Sequence, residues 1–158
     1  MWPSETAENV AAAVVALHAL SGLAANRHGH LAYFNVFAGG TAGGHRVLLD
    51  SNLDWGQDLP RLAAWMRSRG VPSVQLAYMG ADDPARFGIA REDLPAQHLY
   101  PAQPARRPFA GAVVVVSPNV LFGLVPSVAP LYAPLRDRPP DERAGVFFVY
   151  RLDRAPQP

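Results

Sequence analysis

The sequence predicts an α/β domain: a small mixed or parallel sheet of about four strands with flanking helices, preceded by an apolar N-terminal helix. Residues 111–116 contain four consecutive valines, which is typical of a strand buried on both faces. Residues 59–69 place Leu59, Leu62 and Met66 on one helical face. Residues 10–25 form an apolar run interrupted only by His18 and Ser21. Short apolar segments that alternate with a helix favour an α/β sheet.

Four segments are predicted as strands: residues 45–49, 74–79, 111–116 and 146–152. The helix at 59–69 has Asp58 as its expected N-cap, Pro60 in its first turn and Gly70 at its end. Shorter helical pieces are expected at 83–87 and 120–125, and proline-rich loops at 94–108 and 126–140.

Composition excludes several classes of function. The chain has 158 residues, enough for one domain, and a formal net charge of +1, which gives no basis for a nucleic-acid partner. It contains no cysteine, so disulfides, thiolate metal sites and cysteine nucleophiles are excluded. Ser117 follows a predicted strand, but no G-x-S-x-G motif surrounds it, which argues against a hydrolase triad.

The apolar run at 10–25 has two interpretations. It is shorter than the roughly 20 apolar residues of a bilayer-spanning helix, which favours a helix of the soluble domain. The alternative is the end of a membrane helix. Glu5 and Glu8 precede the run and Arg27 follows it, the reverse of the charge order in a cleaved signal peptide.

The segment DSNLDWGQDL, residues 50–59, is the main candidate for a functional site. It follows a predicted strand and precedes a predicted helix, the place where ligands bind in open α/β sheets. Its polar and aromatic residues form the predicted ligand-binding set: Asp50, Asn52, Asp54, Trp55, Gln57 and Asp58.

Three interpretations of this acidic turn remain open. Its carboxylates can shape the turn and cap the helix, because Asp and Asn bond readily to nearby backbone N–H groups. The face of Trp55 beside carboxylate and amide groups is also the mixture that a sugar site needs. The least favoured interpretation is a calcium loop: Asp50, Asn52 and Asp54 fit its first, third and fifth positions, but Trp55 and Arg61 occupy the places of its glycine and glutamate. No other cofactor is expected.

Several segments carry a family resemblance. Residues 30–35 (HLAYFN), 38–40 (AGG) and 49–59 (LDSNLDWGQDL), followed by 117–123 (SPNVLFG), 135–136 (LR) and 147–152 (FFVYRL), resemble the C-terminal region of bacterial multi-spanning membrane glycosyltransferases. These lipid-carrier-dependent enzymes are related to protein O-mannosyltransferases and aminoarabinose transferases. The string at 50–59 is the specific part, and the likeness covers residues 10–152.

The resemblance implies transfer of a sugar from a polyprenyl-phosphate donor on the outer face of the cytoplasmic membrane. The catalytic carboxylate of such enzymes lies in an early loop that has no counterpart here, so no catalytic residue is carried over. The resemblance favours residues 1–26 as the end of a membrane helix, 27–153 as an extracytoplasmic α/β domain and 154–158 as a tail.

The expected function is therefore that of an accessory domain that positions a lipid-linked sugar or a glycan acceptor beside the membrane-embedded part of the enzyme. The alternative is a structural or protein-interaction module with no ligand of its own. A third idea, an independent enzyme that uses Asp50 and Asp54 as acid and base, has no nucleophile or cofactor motif to support it.

Overall fold

The fold is α/β, as predicted, with one mixed sheet, flanking helices and an apolar N-terminal helix. The computed structural model describes residues 5–26, 32, 34, 36–49, 53–106, 108–110 and 113–152. The sheet has five strands rather than about four, in the spatial order β2-β1-β3-β5-β4. The strands are β1 (Val74–Ala77), β2 (Arg91–Asp93), β3 (Val113–Val116), β4 (Glu142–Ala144) and β5 (Phe147–Arg151).

The sheet combines a parallel half with an antiparallel half. Strand β1 pairs in parallel with both β2 and β3, whereas β5 runs antiparallel to β3 and to β4. The valines of β3 lie at the centre, which confirms the predicted central strand. The carboxyl ends of β1, β2 and β3 therefore meet at one edge of the sheet.

Two strands escaped prediction because their sequences are polar. Strand β2 reads RED and β4 reads ERA, and each lies at an edge of the sheet with a single neighbour. An edge strand gains its place through backbone hydrogen bonds rather than through an apolar pattern.

Helices cover both faces of the sheet. Helix α3 (Leu59–Arg69) packs its buried residues, among them Leu62 and Met66, against one face. Short helices α4 (Pro118–Leu121) and α5 (Ala133–Arg136) lie in the apolar cluster of the other face. The predicted piece at 120–125 thus starts earlier, and the predicted loop at 126–140 contains α5 and the 3₁₀ turn Ala129–Tyr132.

The strand predicted at residues 45–49 is wrong. Helix α2 (Gly40–Gly43) is followed by the 3₁₀ turn Gly44–Arg46, and the backbone then continues without strand pairing. His45 stacks on Phe122 at 4.8 Å and meets Phe148 edge-on at 5.2 Å. This packing and the local helical bonds, rather than sheet pairing, fix the segment.

The N-terminal helix α1 (Glu5–Asn26) has no buried residue at any position whose burial is described. Its part Glu5–Ala24 is long and apolar enough to cross a membrane. Signal sequences meet the same two criteria, but a core helix of a soluble domain would be buried. The expected cap at Ser4 lies outside the described residues.

Candidate functional site

The predicted acidic turn lies at the carboxyl end of β1. It leads into α3, although the described residues before it form no strand. Gly56 fixes its position: a Cβ at this glycine would lie 2.5 Å from the hydroxyl of Tyr78, the residue directly after β1. Gly56 also has φ of 107°, a conformation that other residues rarely adopt. Asp50 and Asn52 lie outside the described residues, so the turn is described from Leu53 onward.

Asp54 is a buried carboxyl group with one uncommitted oxygen. Its side chain is fully enclosed, and its Oδ1 accepts a hydrogen bond of 3.1 Å from the backbone N–H of Gly56. Its Oδ2 has no hydrogen-bond partner among the described residues. Burial raises the pKa of Asp54 to about 8; the Gly56 N–H opposes this rise and the charge of Asp58 adds to it. Asp54 therefore carries a proton at neutral pH.

Tyr78 places a second uncommitted polar group beside Asp54. Its hydroxyl is buried and has no hydrogen-bond partner in the described part of the chain. Gly56 and Gly80 flank the hydroxyl, and a Cβ at either position would collide with it. Burial, followed by the charges of Asp54 and Asp82, raises the pKa of Tyr78, and the nearby backbone N–H of Asp82 offsets part of the rise.

Ser117 adds a third such group at the same edge. It directly follows β3, where Val116 pairs with Ala77, and its backbone N–H donates to the Ala77 carbonyl at 2.8 Å. Its Oγ is buried without a partner among the described residues. The carboxyl ends of two adjacent parallel strands thus hold Tyr78 and Ser117, with Asp54 beside Tyr78.

Asp58 has a different role from the predicted one. Its backbone carbonyl starts α3, but its side chain caps no helical N–H. Instead, Oδ2 accepts a 2.8 Å hydrogen bond from the backbone N–H of Val146, and Oδ1 lies 3.2 Å from the Arg61 guanidinium. A Cβ at Gly145 would collide with this carboxylate. Burial raises the pKa of Asp58, while the Val146 N–H and Arg61 oppose the rise.

Gln57 and Trp55 differ in their availability to a ligand. The Gln57 amide is used within the turn: it donates to the Leu53 carbonyl and accepts from the Trp55 backbone N–H, both at 2.7 Å. The side chain of Trp55 is 44% exposed. Of the predicted set, therefore, Trp55 is the described residue that a ligand can reach without a change in the turn.

The charges of the two described carboxyl groups in this turn, Asp54 and Asp58, are balanced by groups within the fold. Protonation neutralises Asp54, and Arg61 pairs with Asp58. Among the described residues, no group of three or more histidine, aspartate or glutamate side chains is placed to hold a metal ion. The first two positions of the calcium-loop pattern, Asp50 and Asn52, fall outside the described ranges.

A second buried acid lies on the neighbouring strand β2. The Asp93 Oδ1 receives hydrogen bonds from the Arg91 guanidinium and the Tyr100 hydroxyl, both at 3.0 Å, and its Oδ2 accepts from the Gln103 backbone N–H at 2.6 Å. His98 Nδ1 lies 3.0 Å from the same Tyr100 hydroxyl. Arg91 is almost fully buried and also pairs with Asp83 at 3.1 Å. The ring of Tyr100 stacks on that of Tyr78, with centroids 5.6 Å apart.

The opposite edge of the sheet holds a cavity of about 440 Å³. Two of its lining residues, Arg69 and Arg151, both pair with Glu142, at 2.9 and 3.3 Å. Glu142 also accepts a hydrogen bond from the Trp65 indole. Each of the two arginines in the described lining is therefore already paired with the Glu142 carboxylate.

The sequence pointed to the turn but not to the side chains that complete the site. The sequence predicts Tyr78 within a strand and Ser117 directly after one, and it gives no signal at Gly145. The rule that ligands bind beyond the carboxyl ends of parallel strands would have singled out Tyr78 and Ser117, had β1 and β3 been paired in advance.

Comparison with protein-family models, with curated proteins and with solved structures gives no match in any of the three.

Proposed function

We propose that this chain is a membrane-attached domain of a lipid-carrier-dependent glycosyltransferase and that its acidic turn helps to hold a sugar head group or a glycan acceptor. The observation that carries the proposal is α1, an apolar helix long enough to span a membrane that buries no described residue. Exposing this much apolar surface to water is unfavourable, whereas a bilayer accommodates it.

The resemblance of residues 50–59 to the membrane glycosyltransferases supports the choice of enzyme class. The partners are then the membrane-embedded part of the enzyme and a lipid-linked sugar or glycan. We assign the domain a role in binding rather than in catalysis, because the resemblance carries no catalytic residue over to this chain.

The chemistry of the turn suits a sugar. Trp55 offers an exposed aromatic face, on which the C–H surface of a pyranose can stack. Asp54, adjacent in sequence, is protonated at neutral pH and can donate a hydrogen bond from Oδ2 to a sugar oxygen if the turn opens.

Binding is tested with the full chain in lipid nanodiscs, titrated with a polyprenyl-phosphate sugar. Trp55→Ala should weaken the affinity roughly tenfold, or about 1.4 kcal/mol, because it removes the stacking face. Leu131→Ala is the control, since Leu131 is a similarly exposed apolar residue that does not belong to the acidic turn at 50–59. Binding that is unaffected by Trp55→Ala would reject the assigned site.

The side of the membrane is tested separately. We propose that the domain lies on the extracytoplasmic side, as the resemblance implies. Glu5 and Glu8 lie in the first turn of α1 and Arg27 follows the helix, so the charges next to α1 taken alone favour the opposite, cytoplasmic orientation by the positive-inside rule. The chain contains no cysteine, so Arg86→Cys creates a single exposed thiol. Labelling of this thiol by a membrane-impermeant maleimide in intact cells supports the extracytoplasmic orientation, and labelling only after lysis contradicts it.

The alternative, a structural or interaction module, is favoured by a different observation. The side chains of Gln57 and Asp58 are both engaged within the fold, by Leu53 and Trp55 and by Val146 and Arg61. If no polyprenyl-phosphate sugar or glycan binds the full chain while α1 still inserts into lipid, this alternative replaces the ligand-binding role.

A further inference from the structure

The segment between α1 and the acidic turn displays large apolar side chains to solvent. Phe37 is 93% exposed, Val47 is 64% exposed and Leu48 is about half exposed. Single exposed apolar residues are common, but three large ones within twelve residues are a concentration of apolar area that a partner or a lipid surface would cover.

The rest of this segment is fixed to the domain. His45 packs against Phe122 and Phe148, and the Arg143 guanidinium donates a 3.1 Å hydrogen bond to the Ala42 carbonyl. Gly44 is buried against the ring of Phe34, where a side chain would collide. These contacts hold residues 42–45 on the domain, while Phe37, Val47 and Leu48 stay exposed.

The charge and the position of the segment suit a lipid surface. No aspartate or glutamate occurs between Glu8 and Asp50, and Arg46 is exposed beside Val47. Nine residues separate Asn26, the end of α1, from Val36. Even fully extended, a connection of this length spans only about 30 Å, so the segment stays close to the helix that precedes it.

We propose that residues 36–49 dock on the bilayer surface, with Phe37, Val47 and Leu48 in the boundary between head groups and acyl chains and Arg46 at the lipid phosphates. This inference rests on the membrane attachment in the proposed function. The acidic turn follows Leu49 directly in the chain. Docking of residues 36–49 therefore keeps the turn close to the lipid head groups, where a lipid-linked sugar is presented.

The test uses single spin labels on the full chain in nanodiscs of phosphatidylcholine and phosphatidylglycerol. Because the chain has no native cysteine, Phe37→Cys, Val47→Cys, Leu17→Cys and Arg86→Cys each carry one label, and all four replaced side chains are exposed. Circular dichroism checks that each variant is folded. The accessibility of the label to oxygen, which concentrates in lipid, is compared with its accessibility to a nickel chelate, which stays in water.

Labels at 37 and 47 should favour oxygen over the nickel chelate, between the values for Leu17→Cys in the bilayer and Arg86→Cys in water. If the label at 17 lies in lipid but those at 37 and 47 match position 86, the docking surface is wrong while membrane attachment stands. If the labels at 37 and 47 are immobilised and shielded from both reagents, protein rather than lipid covers these residues and the proposal is overturned. A label at 17 in water contradicts membrane attachment itself.

Discussion

Two buried aspartates at the same edge of the sheet are held in opposite ways. Asp93 is surrounded by the Arg91 guanidinium, the Tyr100 hydroxyl and a backbone N–H, so both carboxylate oxygens are bonded. Asp54 receives one backbone N–H, and its second oxygen has no partner among the described residues. A buried carboxylate with a full set of donors supports the fold, whereas one without them keeps a proton and remains available for other bonds.

The largest expected effect comes from replacing Arg91, the buried cation that pairs with Asp93. Arg91→Met leaves Asp93 and Asp83 without their buried partner, and should lower the free energy of unfolding by about 3–5 kcal/mol. Urea denaturation measures this loss. Arg86→Met is the control: Arg86 pairs with Asp82 at the surface, and its loss should cost less than about 1 kcal/mol. Equal losses in the two variants would contradict the contrast between buried and exposed pairs.

Protonation of Asp54 should make the free energy of unfolding depend on pH. Because burial raises the pKa of Asp54 from 3.8 to about 8, the folded protein keeps a proton that the unfolded chain releases. The stability that this proton confers is complete below pH 4 and is lost as the pH rises toward 8, by up to about 1.4 kcal/mol per pH unit. Asp54→Asn removes this dependence, so the variant should gain stability relative to the parent between pH 5 and 8.

Denaturation of both proteins across that pH range measures the difference. The raised pKa of Asp58 and the lowered pKa of His45 act in both proteins and largely cancel in the comparison. A difference that does not change with pH would mean that Asp54 is already ionised in the folded protein.

The smallest expected effect is on stability when the hydroxyl of Tyr78 is removed, and Tyr100 provides the comparison. Tyr100→Phe removes a hydrogen bond to Asp93 and a contact with His98, and should cost about 1.5–3 kcal/mol. Tyr78→Phe removes a buried hydroxyl that has no hydrogen-bond partner among the described residues, and should change stability by less than about 1 kcal/mol in either direction. Thermal unfolding of the pair provides the measurement, and a large loss from Tyr78→Phe would show that its hydroxyl has a partner in solution.

The sequence was informative where apolar periodicity controls the structure. Helix α3, its end at Gly70 and the strands β1, β3 and β5 lie close to their predicted positions, because burial of valine and leucine decides them. Residues 45–49 have the apolar content of a strand. They fail to form one because His45 packs on aromatic rings contributed by residues 122 and 148, which the local sequence cannot reveal.

The site was predictable in its location and not in its composition. The local sequence marks the turn through its aspartates and Trp55. Asp54 lies close to Tyr78, and Asp58 is bonded to Val146, 88 residues away along the chain, so the surroundings of both acids depend on how the strands pair. The residue types were consistent with capping, with calcium binding and with a sugar site, and only the tertiary surroundings distinguish a protonated acid from a bonded carboxylate.

The bond between Asp58 and Val146 also has a consequence for how the chain is made. The ribosome produces the turn and α3 well before it produces β5, which must insert between β3 and β4 to complete the sheet. Pairings across so much sequence form late and slowly. A nascent chain therefore cannot complete its sheet until β5 has left the ribosome.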